Sequence, residues 1–399
     1  MRLTRLSLVD FRNYRRETLE FPAEVNVLVG PNAQGKTNVL EGIYLLGAFK
    51  SFRTSHNRDL IRLGAEQALV TGTVERDGLA REIEVTVGET GRRARVNTKP
   101  VRTLREFFGV CPVILFAPED LAQVKGPPAM RRRFLDRAVF AGWPAYLPAL
   151  QAYLAAVQQK QALLRLGHGG RAAAAPAADT TREAWDEALV RHGVEVIRRR
   201  ARLAADLAPH LARAYRQLAG ADAGEATLTY RPGAAVDPDA PPETLEAQLA
   251  AAVTAAARAE QRRGMVLVGP HRDELVLALD GRDLRHLGSQ GEQRSFVVAL
   301  KLAELALLTE RLGTTPLFLL DDVASELDAA RRRGLLAALA AAGAQVFLTT
   351  TEADAGIAGQ PLDFQVFSVQ NGGVESGPRN RLTPGGPQAI TLQPTRQGS

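Results

Sequence analysis

The sequence predicts an α/β protein whose sheet-forming part is interrupted by a long, mostly helical insert. Three observations carry this. A glycine-containing loop, Gly30 to Thr37, lies between a short apolar strand and a helix. A second apolar run, Pro316–Leu320, ends in the acidic pair Asp321-Asp322. Between them, residues from about 127 to 263 are dominated by Ala, Leu, Arg, Gln and Glu, which favour helix.

Taken in order, residues 3–9 and 24–30 run apolar or alternate and are expected as strands. Residues 36–48 are expected as a helix, 68–74 and 80–87 as strands, with a basic hairpin around Asn97-Thr98-Lys99-Pro100. Strand 112–116 leads to a short helix near Pro118. Pro127-Pro128 open the next helix, because proline suits the first turn. Gly167 to Gly170 stop another, and the alanine tract 172–178 is expected as a loop. A long helix over 181–219 and a loop over 232–242 follow. Strands are expected at 265–268, 274–280, 316–321 and 345–350, with helices after the turn 288–291 and over 328–342. The Gly/Pro-rich chain after 371 is expected as a mobile tail.

Composition excludes several classes. Of 399 residues, 45% are hydrophobic and 24% charged, enough for a core and against global disorder. The single cysteine, Cys111, excludes a disulfide framework and a cysteine zinc site. It lies in the apolar run Val110–Phe116 and is expected as a buried small hydrophobe in a reducing, cytoplasmic setting. Two charge-free runs, Ala138–Gln159 and Gly334–Thr351, are broken by prolines or a turn, so no membrane span is expected. The net charge is +6, yet Lys125–Arg216 alone carries 16 Lys/Arg against 7 Asp/Glu. The basic excess therefore sits in one segment, which suits a polyanion-facing surface.

The chemistry begins at Gly30-Pro31-Asn32-Ala33-Gln34-Gly35-Lys36-Thr37, a full G-x-x-x-x-G-K-[ST] match after an apolar strand and before a helix. Glycines let backbone N–H groups close around phosphate oxygens, and the helix N-terminus adds positive potential. Lys36 can reach the β- and γ-phosphates of ATP, and the Thr37 hydroxyl can ligate Mg²⁺. At the carboxyl end of the second apolar strand, Asp321 is the natural Mg²⁺ holder, and Asp322 can position or deprotonate a water. Helix capping is the plainer reading of that pair taken alone. The turn Leu287-Gly288-Ser289-Gln290-Gly291-Glu292 opens a long helix and is either a second anion site or a simple cap by Ser289.

With all three motifs in order, the chain resembles the ATP-binding-cassette ATPases, and within them the SMC and RecF group. Blocks that carry the narrower resemblance are Phe11-Arg12-Asn13-Tyr14, Asn32–Glu41, Ser51-Phe52-Arg53, Phe116–Leu121, Arg131–Asp136 and Val268–Arg272. The resemblance implies a cassette-type phosphate-loop ATPase head, with mixed sheets around the phosphate-loop helix and an inserted helical lobe. The expected division is residues 1–125 and 265–370 for the ATPase lobe, 126–264 for a basic helical lobe, and 371–399 for the tail. It also implies that Ser289, Gln290, Gly291 and Glu292 act on ATP held by a second copy, so that Lys36, Asp321, Asp322 and Ser289 form the catalytic set of an ATP-dependent homodimer. Asn38, Arg12 and Arg53 become candidate nucleotide contacts. The strand 345–350 ends in Thr349-Thr350-Thr351, with no histidine at the switch position of transporter cassettes.

What the resemblance implies for role is a weak, DNA-stimulated, Mg²⁺-dependent ATPase of recombinational repair and replication restart. Its implied partners are double-stranded and gapped DNA and the proteins RecO and RecR. Arg131, Arg132, Arg133, Arg198, Arg199 and Arg200 are the candidate DNA contacts, with the hairpin Arg92–Arg105 as a second basic patch. No element for reading base sequence is evident. Two alternatives stay open at this level: an ATPase subunit of a transporter, and a structural DNA clamp that binds ATP without turnover.

Overall fold

The computed structural model describes residues 1–168, 176–220, 223–322, 327–351 and 363–381. The chain forms two compact units: unit 1 comprises 1–120, 214–223 and 294–399, and unit 2 comprises 121–213 and 224–293. The return to the first unit thus comes after residue 293, not at 265 as the sequence suggested.

Unit 1 holds two six-stranded sheets. The first contains β1 (Arg2–Phe11), β2 (Tyr14–Glu20), β4 (Gln67–Arg76), β5 (Leu79–Gly88), β6 (Gly91–Val96) and β7 (Lys99–Pro100), in the order β2-β1-β4-β5-β6-β7, all antiparallel. The second contains β3 (Val25–Val29), β8 (Val113–Phe116), β12 (Leu317–Leu320), β13 (Val346–Thr350), β14 (Asp363–Gln370) and β15 (Gly373–Arg381). Its order is β15-β14-β3-β13-β12-β8, parallel except for β15. The parallel strands β3, β12 and β13 are buried at every position, as expected for strands covered on both faces.

The phosphate-loop helix Lys36–Ala48 packs between the sheets. Val39, Leu40, Ile43, Leu45 and Leu46 join Leu6, Leu8, Val70 and Val85 of one sheet and Leu28, Leu319 and Phe347 of the other in a single core. A helix apolar all round is what such a position requires. Two glycines allow the close approach: a Cβ on Gly42 would stand 2.8 Å from Leu8, and one on Gly47 would stand 2.3 Å from the Cys111 carbonyl. Cys111 is buried in this core, which pushes its thiol up to about 12, so it packs as a hydrophobe.

Unit 2 is built from helices Pro128–Gly142, Tyr146–His168, Pro176–Ala219 (to Arg213) and Pro242–Arg263, with a three-stranded sheet of β9 (Ala226–Arg231), β10 (Glu274–Leu279) and β11 (Arg282–Asp283). No helix among the described residues is long and apolar enough to cross a membrane.

Several expected elements differ. Residues 265–268 are not a strand: Val266 N–H donates to the Gln161 side chain (3.0 Å) and Leu267 N–H to Glu260 (2.8 Å), so side chains rather than a neighbouring strand take the ladder's place. Residues 176–178 open the long helix instead of ending a loop, while 169–175 lie outside the described residues. The expected tail contains β15, joined to β14 by Asn371-Gly372, both at positive φ (49° and 76°), the conformation of a tight hairpin turn. Residues beyond 381 lie outside the described residues.

Candidate functional site

Strands β3, β12 and β13 run parallel and end at one carboxyl edge of their sheet, with Leu320 paired to Leu348 and Thr350 to Val29. The phosphate loop follows β3, Asp321 follows β12, and Thr349-Thr350 close β13. Ligands of open α/β sheets bind outside this edge. Sequence residues separated by nearly three hundred positions meet there: the Thr37 hydroxyl donates to Asp321 Oδ1 at 2.9 Å.

In the loop, Pro31, Asn32 and Ala33 are exposed, and Ala33 (φ 65°) and Gly35 (φ 119°) take left-handed backbone. Gly35 is required by its neighbours as well as its φ, because a Cβ would lie 2.7 Å from both Asn13 and Tyr14 side chains. Lys36 Nζ donates to the carbonyls of Gly30 (2.6 Å) and Pro31 (2.8 Å), which folds the side chain over the loop. Burial lowers its pKa, opposed by the nearby Asp322 and Asp321.

The loop is braced from two sides. Asn13 Nδ2 donates to the Gln34 carbonyl (3.0 Å), Asn38 Nδ2 donates to Asn13 Oδ1 (2.8 Å), and Tyr14 hydroxyl donates to the Gly35 carbonyl (3.1 Å). From the β14–β15 turn, Asn371 N–H donates to Gln34 Oε1 at 2.6 Å. Sequence reasoning missed this second brace, although Asn-Gly between two strand-like runs is a hairpin signal.

Asp321 is buried, which raises its pKa against hydrogen bonds from Thr349 and Thr37 and the nearby Arg53. Thr349 hydroxyl donates to Asp321 Oδ1 (2.8 Å) and accepts from Asp322 N–H (2.8 Å). Asp322 is exposed and has φ 49°.

The candidate arginines separate. Arg12 is committed inward: its guanidinium makes two 2.7 Å bonds to the carboxylate of fully buried Glu41 and a third to the Asp59 carbonyl. Arg53 stands beside the loop, half exposed, donating to Asn38 Oδ1 at 2.8 Å. Arg12 is thus held by Glu41, and Arg53, 3.9 Å from the same carboxylate, keeps a half-exposed guanidinium beside the loop.

In unit 2, Ser289 and Glu292 form a reciprocal cap on the helix Gln290–Leu312. Ser289 N–H donates to Glu292 Oε2 (2.6 Å), and Glu292 N–H donates to Ser289 Oγ (3.2 Å). The Ser289 N–H is the main cause of a lowered Glu292 pKa. Gln293 Nε2 holds the carbonyls of Leu284 (3.0 Å) and Gly288 (3.1 Å), and the turn with Leu287, Ser289 and Gln290 is exposed. The structure thus shows the cap, which occupies the N–H groups of both Ser289 and Glu292. The loop after the acidic pair, 323–326, lies outside the described residues, and Asp328 caps the helix Ala329–Ala341.

Two expected DNA contacts are corrected. Arg131 is buried, making a two-bond pair with Glu274 (2.6 and 2.8 Å) and donating to three carbonyls. Arg200 is buried between Asp136 and Asp273. Both hold unit 2 together and are not available to DNA phosphates. Lys160 is likewise buried against Glu260 and Asp186. Arg132 is half-buried on the Asp273 carbonyl and Arg199 pairs with Glu195, whereas Arg133 and Arg198 are exposed. In the hairpin, Arg92 is tied to Asn57 and Phe49, while Arg93, Arg95, Lys99 and Arg102 are exposed.

Comparison with known proteins adds four findings. Residues 2–373 match the family described as RecF/RecN/SMC N terminal domain. The chain is 44% identical over 352 residues to the DNA replication and repair protein RecF of Anaeromyxobacter sp. (strain Fw109-5), covering 88% of this chain and 93% of that one. It is similar, with a TM-score of 0.85 and 29% identity, to a solved structure of the recombination mediator protein RecF-ATPrS in the RecFOR pathway, covering 94% of this chain and 98% of that one. An Smc head domain from Pyrococcus furiosus shares the fold, with a TM-score of 0.52 at 16% identity.

Proposed function

The chain belongs to the RecF family, within the RecF/RecN/SMC N-terminal-domain proteins, and from that premise we propose that it is an ATP-driven DNA-binding switch of DNA replication and repair. The observation that carries the reading is the meeting of Lys36, Thr37, Asp321 and Thr349 at one sheet edge. ATP binds at the phosphate loop, with backbone N–H groups and Lys36 on its phosphates.

Mg²⁺ fits the donor set. The Thr37 hydroxyl and Asp321 carboxylate are hard oxygen donors, and Mg²⁺ takes one or two protein ligands and completes its shell with water and phosphate. Thr37 and Asp321 would hold the ion, which neutralises phosphate charge when bound. Asp322 takes the proton of the attacking water as its oxygen bonds to the γ-phosphorus and the bond to the β–γ bridging oxygen breaks.

Two copies close with Ser289 to Glu292 of one facing the ATP of the other, so ATP binding drives dimerisation and hydrolysis reverses it. The dimer holds duplex DNA at gaps through phosphates, without reading bases, and DNA stimulates turnover. RecO and RecR are its proposed partners, with the cytoplasm as the compartment. The proposed organisation is an ATPase lobe within unit 1 and a DNA-facing helical lobe within unit 2. DNA binding and light scattering with and without ATP test the whole reading, since a chain that neither dimerises nor gains DNA affinity with ATP is not such a switch.

Neutralising Arg133 and Arg198 together is expected to weaken duplex binding while ATP affinity stays the same. The slope of log affinity against log salt should flatten by about 0.9 for each phosphate that is no longer neutralised. An unchanged slope in a salt titration would move the DNA surface to Arg93, Arg95, Lys99 and Arg102.

Ser289→Arg is expected to bind ATP as a monomer and to stay monomeric. The long cation occupies a seam shaped for a hydroxyl and adds positive charge at the helix's positive end, and removing the cap costs about 1 kcal/mol. A mixture with Lys36→Ala restores one composite site, so light scattering should show partial ATP-dependent pairing in the mixture and in neither variant alone. Normal dimerisation of Ser289→Arg would leave residues 289–292 as a helix cap only.

A further inference from the structure

We infer that Thr349 is a positioning residue for hydrolysis: its hydroxyl fixes the backbone of Asp322 and one carboxylate oxygen of Asp321 at the same time. One hydroxyl performs both tasks. It donates its proton to Asp321 Oδ1 and accepts the Asp322 N–H, each at 2.8 Å. The inference rests on the reading of Asp322 as the group that takes the proton from water.

The geometry gives this bridge a specific purpose. Asp322 has φ 49°, a left-handed conformation that a non-glycine residue rarely adopts without an external hold. Its N–H is anchored by Thr349, which is 1% exposed in the central strand β13 and held on both sides by parallel neighbours β3 and β12. The anchor is therefore as rigid as the sheet. The same Asp321 oxygen also accepts from Thr37, so two hydroxyls, one from the end of β13 and one from the first turn of the phosphate-loop helix, converge on it. β13 contributes no histidine at its end, and the first of its three terminal threonines turns inward to the acidic pair. The strand next to the phosphate loop thus acts on hydrolysis by orienting the two aspartates.

The test uses the full chain and two substitutions. Thr349→Val keeps the branched shape that suits a buried strand and removes the hydroxyl, and Thr349→Ser keeps the hydroxyl. Thr349→Val is expected to lower the single-turnover hydrolysis rate about 10- to 100-fold, the range for an ångström-scale misplacement of a reacting group. ATP affinity and melting temperature should stay near wild type, and Thr349→Ser should recover most of the rate. In the Asp322→Asn background, Thr349→Val should cost clearly less than in the wild type, because the part of its effect that runs through Asp322 is already lost.

Wild-type turnover by Thr349→Val, with Asp322→Asn inactive, overturns the inference and leaves the reading of Asp322 standing. Equal losses in the Val and Ser variants, or losses that track melting, make Thr349 a structural residue and also overturn it. So do additive losses in the double variant. Wild-type turnover by Asp322→Asn overturns the reading of Asp322 and the inference with it.

Discussion

Lys36→Ala is expected to bind ATP about 10- to 100-fold more weakly, the range for losing a charge-assisted hydrogen bond to a buried partner. Hydrolysis and ATP-dependent dimerisation should fall with it, because no other cation is placed in the loop Gly30–Thr37. The fold should survive. Among the described residues, Lys36 Nζ bonds the carbonyls of Gly30 and Pro31, while the aliphatic faces of its helix are held by Val39, Leu40, Ile43 and Leu46. Burial works against the charged form of Lys36, and the nearby Asp322 and Asp321 oppose that trend. Fluorescent-nucleotide titration and light scattering are the measurements. Unaltered affinity together with unaltered dimerisation would falsify the phosphate-loop assignment.

Asp273→Ala is expected to destabilise unit 2 by about 3–5 kcal/mol, the cost of leaving a buried charge without its partner. Asp273 is fully buried, and its carboxylate serves three donors: Arg200 Nη1 at 2.7 Å, the Tyr230 hydroxyl, and Gly233 N–H at 2.7 Å. These come from a long helix, β9 and the loop after it, so one truncation loosens three elements. Asp136 keeps its hold on Arg200, which limits the loss for that group. Both tryptophans, Trp143 and Trp185, belong to unit 2, so tryptophan fluorescence during urea unfolding follows this unit alone. An unfolding free energy within about 0.5 kcal/mol of wild type would show the network to be dispensable.

That network explains why two of the six arginines proposed for DNA were misassigned. Arg131-Arg132-Arg133 and Arg198-Arg199-Arg200 look alike as runs of charge. Helix periodicity splits each run among different faces, since consecutive residues are about 100° apart. Arg131 and Arg200 face inward to Glu274, Asp136 and Asp273, while Arg133 and Arg198 face outward. Their acidic partners lie 64 to 143 residues away in sequence, so no local pattern announces them. Arg12 likewise has a distant acidic partner, Glu41, that no local pattern announces.

The sheet elements show a related division. The edge strand β2 reads as Tyr14-Arg-Arg-Glu-Thr-Leu-Glu20 and buries only Tyr14 and Leu19, so it carries too few apolar residues to show a strand pattern in the sequence. Met265-Val-Leu-Val268 has strand composition, yet Gln161 and Glu260 satisfy two of its N–H groups before any strand can. Composition reports what a segment tolerates, whereas the hydrogen-bond partners available in space decide which form it takes.

By itself the sequence determined the phosphate loop, the acidic strand end, the capped turn at Ser289 and the helical insert. Each is a local pattern in which glycine, a helix N-terminus or an apolar run imposes its own geometry. Only the tertiary structure decided that Thr349 bridges the two aspartates, that Asn371 braces Gln34, and which arginines face solvent. Those are contacts between residues 27 to 337 positions apart in the chain, and sheet order and helix packing alone bring them within hydrogen-bond reach.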